Sequence, residues 1–294
     1  MTIRLTLLAL LAGFLTACGA GPRAEVVVTT NILGDLTRAV VGDQAEVEVI
    51  MGRNADPHSF GVSAQQAASM ERARLIVSNG LGLEEGVLRH VEAARERGVA
   101  VLAVGEGVGP IRYRDGGLDP HFWTDPARAA KAVDLIASAV IDEVDGVDPA
   151  RVLANAAAYR AQLGELDAWM TRRFAALERR ALVTNHHVFG YLAERYDFEV
   201  IGAVIPSGTT LASPSASDLK ELADAVRRAG VPAVFADSSQ PDRLARVMAE
   251  EAGLDVTIVS LDSESLTDRA PTYVQMMRAN TTAIVDGLSE KVRK

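Results

Sequence analysis

Short apolar, β-branched runs alternate along this chain with longer segments whose apolar residues recur every three or four positions. In the first half the runs are 25–30 (EVVVTT), 46–51 (EVEVIM), 74–78 (RLIVS) and 99–104 (VAVLAV). In the second half they are 181–184 (ALVT), 199–205 (EVIGAVI), 233–236 (AVFA) and 255–260 (DVTIVS). Buried strands alternating with amphipathic helices predict parallel sheets joined by crossover helices, so the expected class is α/β, with the second half repeating the architecture of the first.

Residues 127–180, between the halves, carry almost no strand signal. From Pro149 the pattern reads as one long helix reaching residue 180, with Asp148 as N-cap and the proline in the first turn, where its missing N–H is not needed. Leu153, Ala156, Ala157, Tyr159, Leu163, Leu166, Met170, Phe174 and Leu177 form its expected apolar stripe. About 30 residues at roughly 1.5 Å each reach about 45 Å, enough for a rigid spine between two lobes. The expected division is a leader at 1–17, an N-terminal α/β lobe at 18–148, the spine at 149–180 and a C-terminal α/β lobe at 181–294, with the functional cleft between the lobes.

The length of 294 residues exceeds what one hydrophobic core usually serves, which agrees with two lobes. Apolar residues at 48% and charged residues at 23% exclude a disordered or coiled-coil chain. Residues 1–17 have one early charge, Arg4, and then an apolar run too short to span a bilayer, the pattern of a secretory signal. The run ends in Leu15-Thr16-Ala17-Cys18, which resembles the lipobox of bacterial lipoproteins; Cys18 would then be the lipidated first residue and the membrane contact. As the only cysteine, it leaves no internal disulfide. The formal net charge of −9 argues against nucleic acid as a partner.

The candidate chemistry lies in five histidines, at 58, 90, 121, 186 and 187. His90 falls in a helical stretch beside Arg89 and reads as a surface residue. His58 and His121 each end an Asp-Pro-His turn, where proline stiffens the backbone and the preceding aspartate is placed to cap local N–H groups. Spacings of 63 and 65 residues separate His58, His121 and His186, so three separate loops each bring one imidazole. Such loops gather at the carboxyl ends of strands in open α/β sheets, where ligands bind.

The segments Asp56-Pro57-His58-Ser59-Phe60, Asp119-Pro120-His121-Phe122-Trp123-Thr124-Asp125-Pro126 and Thr184-Asn185-His186-His187-Val188-Phe189-Gly190-Tyr191 resemble the metal-binding segments of the periplasmic zinc and manganese substrate-binding proteins of ABC transporters. The resemblance extends to Asn79-Gly80-Leu81-Gly82-Leu83-Glu84 and to the stretch from Tyr273 to Asn280. It implies metal ligands at His58, His121, His186 and an aspartate before the Tyr273 segment, taken as Asp262, with Glu264 and Asp268 as weaker candidates and His187 as the competitor of His186. It also implies a monomeric periplasmic carrier that hands its cargo to a membrane permease.

Three imidazoles and a carboxylate suit four-coordinate Zn(II) better than Mn(II), which prefers more oxygen and more ligands. In the resembling family, manganese-binding members commonly carry a second carboxylate where this chain has His186. Many zinc-binding members also carry a histidine-rich loop between the first two ligands, whereas residues 106–119 here contain no histidine. Metal would then arrive by direct capture or from a zinc-donating periplasmic chaperone. The rival reading is a metallohydrolase with Glu84 as base, but a fourth protein ligand would close the position that catalytic zinc keeps for water.

Overall fold

The computed structural model describes residues 25–114 and 116–289; the leader segment and Cys18 lie outside the described residues. The first half runs β1 (Val26–Val28), α1 (Asn31–Val41), β2 (Val47–Val49), α2 (Ala64–Met70), β3 (Leu75–Ser78), α3 (Leu88–Glu96), β4 (Ala100–Ala103), α4 (Val104–Gly107), a 3-10 turn (Phe122–Thr124) and α5 (Pro126–Glu143). Helix α6 (Pro149–Ala175) leads to β5 (Ala181–Thr184), α7 (Gly190–Tyr196), β6 (Glu199–Ala203), α8 (Ala216–Ala229), β7 (Ala233–Asp237), α9 (Arg243–Glu251), β8 (Thr257–Leu261) and α10 (Tyr273–Ser289).

All strand pairs are parallel, and the two four-stranded sheets share one topology, β2-β1-β3-β4 and β6-β5-β7-β8. Each predicted run coincides with one of these strands: six contain theirs, while β7 and β8 continue one residue past runs 233–236 and 255–260, to Asp237 and Leu261. The longest run, 199–205, is assigned as strand only to Ala203, yet Val204 N and Ile205 N still donate to the carbonyls of Thr184 and Asn185 at 2.9 and 2.8 Å. That pairing extends the sheet edge into the loop after β5.

The spine begins as the sequence predicts: Pro149 opens α6, and Asp148 Oδ1 accepts from Ala150 N at 2.9 Å. It ends at Ala175 rather than 180, so its 27 residues span about 40 Å. Its buried face is Val152, Ala156, Tyr159, Leu163, Leu166, Met170 and Phe174. Leu153 is 56% exposed and Ala157 is exposed, contrary to the predicted stripe. The inward register starts at Val152, and each of these two residues lies one position, about 100° of rotation, past an inward one.

Helix α6 packs on α5, α1 and α10. A single apolar core joins Val26 and Val28 of the first sheet, through Leu163 and Phe174, to Leu182 and Phe235 of the second. A partly buried polar pin adds to it: Asp35 Oδ2 on α1 accepts from Tyr159 Oη at 3.0 Å and from the backbone N of Tyr273 at 2.9 Å. Loops past the carboxyl ends of the strands meet across this shared core, and they carry the candidate residues.

Candidate metal centre

In the first Asp-Pro-His turn, Asp56 Oδ1 accepts from His58 N at 3.0 Å. In the second, Asp119 Oδ1 accepts from His121 N at 2.9 Å. Both are Asx turns that close the backbone two residues on. Asp119 does more, because the same oxygen lies 2.8 Å from His121 Nδ1. That contact places the ring proton on Nδ1 and leaves the Nε2 lone pair free, the usual arrangement behind a metal-ligating histidine.

The rest of this segment fixes the ring. Phe122 is buried in the core, Thr124 Oγ1 donates to His121 O at 3.0 Å, and Trp123 packs edge-on against the imidazole with centroids 5.3 Å apart. Asp125 caps α5 through Ala127 N at 2.8 Å, and Pro126 opens that helix.

His186 follows β5 by two residues in a tight turn, where Thr184 Oγ1 donates to His186 O at 2.6 Å. His187 points elsewhere: its N donates to Ser207 O at 2.9 Å and its ring packs on Tyr113, 6.3 Å between centroids. Gly190 is needed because any Cβ there would collide with Asp119 Oδ2. Tyr191 Oη then donates to Asp119 O at 2.6 Å, tying the second and third histidine segments together.

The Nε2 atoms converge. His121 Nε2 lies 3.3 Å from His58 Nε2 and 3.4 Å from His186 Nε2. The carboxylate among them is Glu264, whose Oε1 is 3.1 Å from His186 Nε2 and 3.6 Å from His121 Nε2, with Oε2 3.9 Å from His58 Nε2. Among the described residues, His58, His121, His186 and Glu264 form the group whose donor atoms all lie within 4.8 Å of one another. Four ligands about 2.05 Å from a tetrahedral zinc stand roughly 3.3–3.4 Å apart, close to the imidazole spacings here.

Asp262, the expected carboxylate, is not in this group. Its Oδ1 accepts from Ser238 Oγ at 2.8 Å and its Oδ2 from Thr267 Oγ1 at 2.9 Å. Asn280 of α10 grips its backbone on both sides, accepting from Asp262 N at 2.9 Å and donating to Asp262 O at 2.8 Å. Directly after β8, Asp262 thus spends both carboxylate oxygens on hydroxyls. Reversal of the chain follows at Asp237, the end of β7, whose Oδ2 accepts from Ser263 N and Glu264 N, both at 3.1 Å. Asn31 fixes the exit by accepting from Leu266 N at 2.8 Å and donating to Ser265 Oγ at 2.7 Å. The turn between these clamps sends Glu264 into the cleft. Asp268, the other weaker candidate, has a fully exposed side chain facing Arg53.

Other expectations resolve in the same way. His90 accepts from Arg89 Nε at 3.1 Å on the exposed side of α3. Glu84, the base of the rival metallohydrolase reading, lies outside the histidine group. Its oxygens accept from Thr29 Oγ1, Asn79 N and Gly80 N at 2.6, 2.6 and 3.1 Å, and Asn79 Nδ2 reaches Pro120 O at 3.0 Å. The residue the sequence left unmarked is Tyr113. It comes from the loop-like 106–119 stretch, which folds into a small hairpin bridged at Arg112 and Leu118. Its Oη lies 3.1 Å from both Asp119 Oδ1 and His121 Nδ1 and 3.2 Å from His187 O. A lone tyrosine in a Gly-rich stretch carries no sign of such a contact.

The four donors are nearly inaccessible, with His58 2%, His121 0%, His186 0% and Glu264 1% exposed. Both Glu264 oxygens and the Nδ1 atoms of His58 and His186 lack a hydrogen-bond partner. A buried carboxylate without donors is costly, and a divalent cation held between it and three imidazole lone pairs satisfies it. Burial pushes the Glu264 carboxyl above the usual range, against the pull of His121 and His186. Burial and the neighbouring imidazoles push His58 down to about 2. At His121 burial acts downward, but Glu264 and Asp119 outweigh it and its pKa is raised.

Two parallel-sheet lobes on a shared helical core, with three buried imidazoles and a carboxylate grouped at the strand ends so that they could hold a metal ion, have the build of a metal-binding protein of the substrate-binding class. The chain belongs to the ZnuA family, zinc-uptake complex component A, periplasmic, whose profile matches residues 26–287. It is 29% identical over 300 residues to the zinc-binding protein TroA of Treponema pallidum, covering 96% of each chain. The solved structure of that periplasmic zinc-binding protein superposes with a TM-score of 0.84 over 90% of this chain and 99% of its own. The manganese-binding lipoprotein MntA of Halalkalibacterium halodurans is 28% identical over 275 residues, 92% of this chain and 90% of that one. The iron-binding protein YfeA of Yersinia pestis is 27% identical over 279 residues, 90% and 86% of the two chains. The chain is thus a metal-binding component of an ABC transporter, working with a membrane permease, and not an enzyme.

Proposed function

We propose that this protein captures Zn(II) outside the cytoplasm with high affinity and delivers it to its permease, holding the ion by His58, His121, His186 and Glu264. The observation that carries this reading is the convergence of three imidazole Nε2 atoms, two of their separations being 3.3 and 3.4 Å, on one buried carboxylate. A nitrogen-rich set of four suits zinc, whereas manganese favours more oxygen ligands. The relatives named for zinc, manganese and iron are about equally similar to this chain, at 29%, 28% and 27% identity, so the choice of metal rests on the donor set.

Dialysis of the mature protein against equal free zinc and manganese, followed by elemental analysis, tests the assignment. One equivalent of zinc with little manganese is expected. Preferential manganese loading overturns the zinc assignment while leaving a metal carrier.

The 106–119 segment carries no histidine to collect metal, so the ion enters the cleft directly or from a donating chaperone. Equal loading rates from free zinc and from a candidate donor, at matched free metal, would remove the donor. Anchoring through a lipid on Cys18 is read out by the mass of the mature amino terminus.

A further inference from the structure

With all four donors buried, a bound ion leaves only when the loops around it part. Two of the bonds that cross the mouth beside the first histidine end on one carboxylate. Asp56, 7% exposed, uses Oδ1 to hold His58 N. Its Oδ2 accepts three hydrogen bonds: from Ser59 Oγ at 2.8 Å in its own turn, from Thr210 Oγ1 at 2.7 Å, and from Gln240 Nε2 at 2.8 Å. Thr210 lies in the loop after β6 and Gln240 in the loop after β7, so both belong to the second lobe.

The two Asp-Pro-His turns therefore differ in use. Asp119 spends its carboxylate on the His121 ring, whereas Asp56 spends its own on the opposite lobe. His58 Nδ1 has no hydrogen-bond partner, so the turn closed by Asp56 is what sets that ring. Ser238 Oγ to Asn54 Oδ1 at 3.2 Å and Thr209 Oγ1 to Glu85 Oε1 at 3.1 Å also cross the mouth but are longer and exposed, whereas Asn54 N to Leu266 O at 2.9 Å and Arg53 Nη1 to Thr267 O at 2.8 Å tie the same loop to the segment after β8. Those on Asp56 are short, charge-assisted and partly buried, the stronger kind.

We propose that Asp56 is a positioning residue that latches the lobes and couples their parting to the loosening of His58, making His58 the first ligand to leave. When Thr210 and Gln240 withdraw, Oδ2 keeps only the Ser59 hydroxyl and hydrates, and the turn that holds His58 loses its anchor on the far lobe. This inference rests on the carrier reading above.

The test compares zinc release from the zinc-loaded mature protein, by stopped flow into excess chelator, in wild type, a Thr210→Val/Gln240→Leu double variant, Asp56→Asn and Ser59→Ala. Cobalt(II) spectra of each report the ligand set. Removing the two cross-lobe bonds is expected to speed release by about tenfold or more, with the cobalt spectrum unchanged. Asp56→Asn should do the same, and Ser59→Ala, which removes a bond that does not cross the cleft, should leave the rate near wild type. Release within twofold of wild type in the double variant overturns the latch. So does an altered cobalt spectrum in that variant, or equal acceleration by Ser59→Ala. Wild type that takes up no zinc would remove the carrier reading itself, before any variant is compared.

Discussion

Glu264 and Asp262 stand two positions apart on one loop, and their carboxylates have opposite surroundings. Asp262 has a hydroxyl donor on each oxygen, and Glu264 has none on either. Glu264→Ala is therefore expected to weaken zinc binding by more than about 100-fold, the upper end for losing even an outer partner of a ligand. Asp262→Asn should change affinity only a few-fold while lowering stability, since its amide NH2 leaves one of the two hydroxyls mismatched; chelator competition and urea unfolding measure the pair. The histidines were legible because Asp-Pro-His carries its own turn chemistry. The carboxylate was legible only as a weaker candidate behind Asp262: a glutamate in a serine-rich loop reads as solvated until Asp237 and Asn31 are seen to clamp the chain on either side of it. Protonation follows from the same cluster. His121 has its pKa raised above 6.5, whereas His58 stays neutral at any physiological pH. A proton must leave His121 for the ion to bind, so zinc affinity should fall as pH drops, beginning above pH 6.5, by about tenfold per unit for one displaced proton. Titration calorimetry in two buffers checks it; no proton release near pH 7 would contradict it.

At the scale of elements, strand and helix positions were open to periodicity because each strand is a short β-branched run and each cap is local. The Asp148-Pro149 start of α6 needs nothing beyond its own neighbours. Its inward face was harder, since Val152 and Leu153 are equally apolar and only the packing of α1, α5 and α10 decides between them. The 111–119 hairpin was unreadable for a related reason: Tyr113 gains its place from Asp119 and the His187 carbonyl, contacts that exist only after folding. Helix α6 is also tied to α7 by Asp167, which accepts from Arg195 Nε at 3.0 Å and Tyr196 Oη at 2.8 Å. Burial opposes ionisation of Asp167, but the bonds from Arg195 and Tyr196 prevail and its pKa is lowered from 3.8. A lowered carboxyl contributes stability above its unfolded value and loses it as pH falls through the folded one. Asp167→Asn should cost about 1 kcal/mol at neutral pH, the partly exposed arginine keeping it modest. The gap from wild type should narrow as pH falls below 3.8; a gap that widens in acid would be inconsistent with the bond.

For the whole molecule, two sheets of identical topology share one continuous core through α6, which makes the lobes a single cooperative body with loosely tied loops. Metal-free protein is expected to unfold in one calorimetric transition, with zinc raising its midpoint because the ion binds only the folded site. Two resolved transitions would show that the lobes melt separately. Motion for release is then concentrated in the loops past the strand ends, where Asp56, Asp237 and Asn31 bridge segments far apart in sequence. The central claim concerns the four ligands that these loops enclose. Zinc-edge X-ray absorption on protein loaded with one equivalent tests it most directly: three imidazole nitrogens and one carboxylate oxygen at about 2.0–2.2 Å in a four-coordinate shell are predicted. A six-coordinate, oxygen-rich shell, or fewer than three imidazoles, would contradict it.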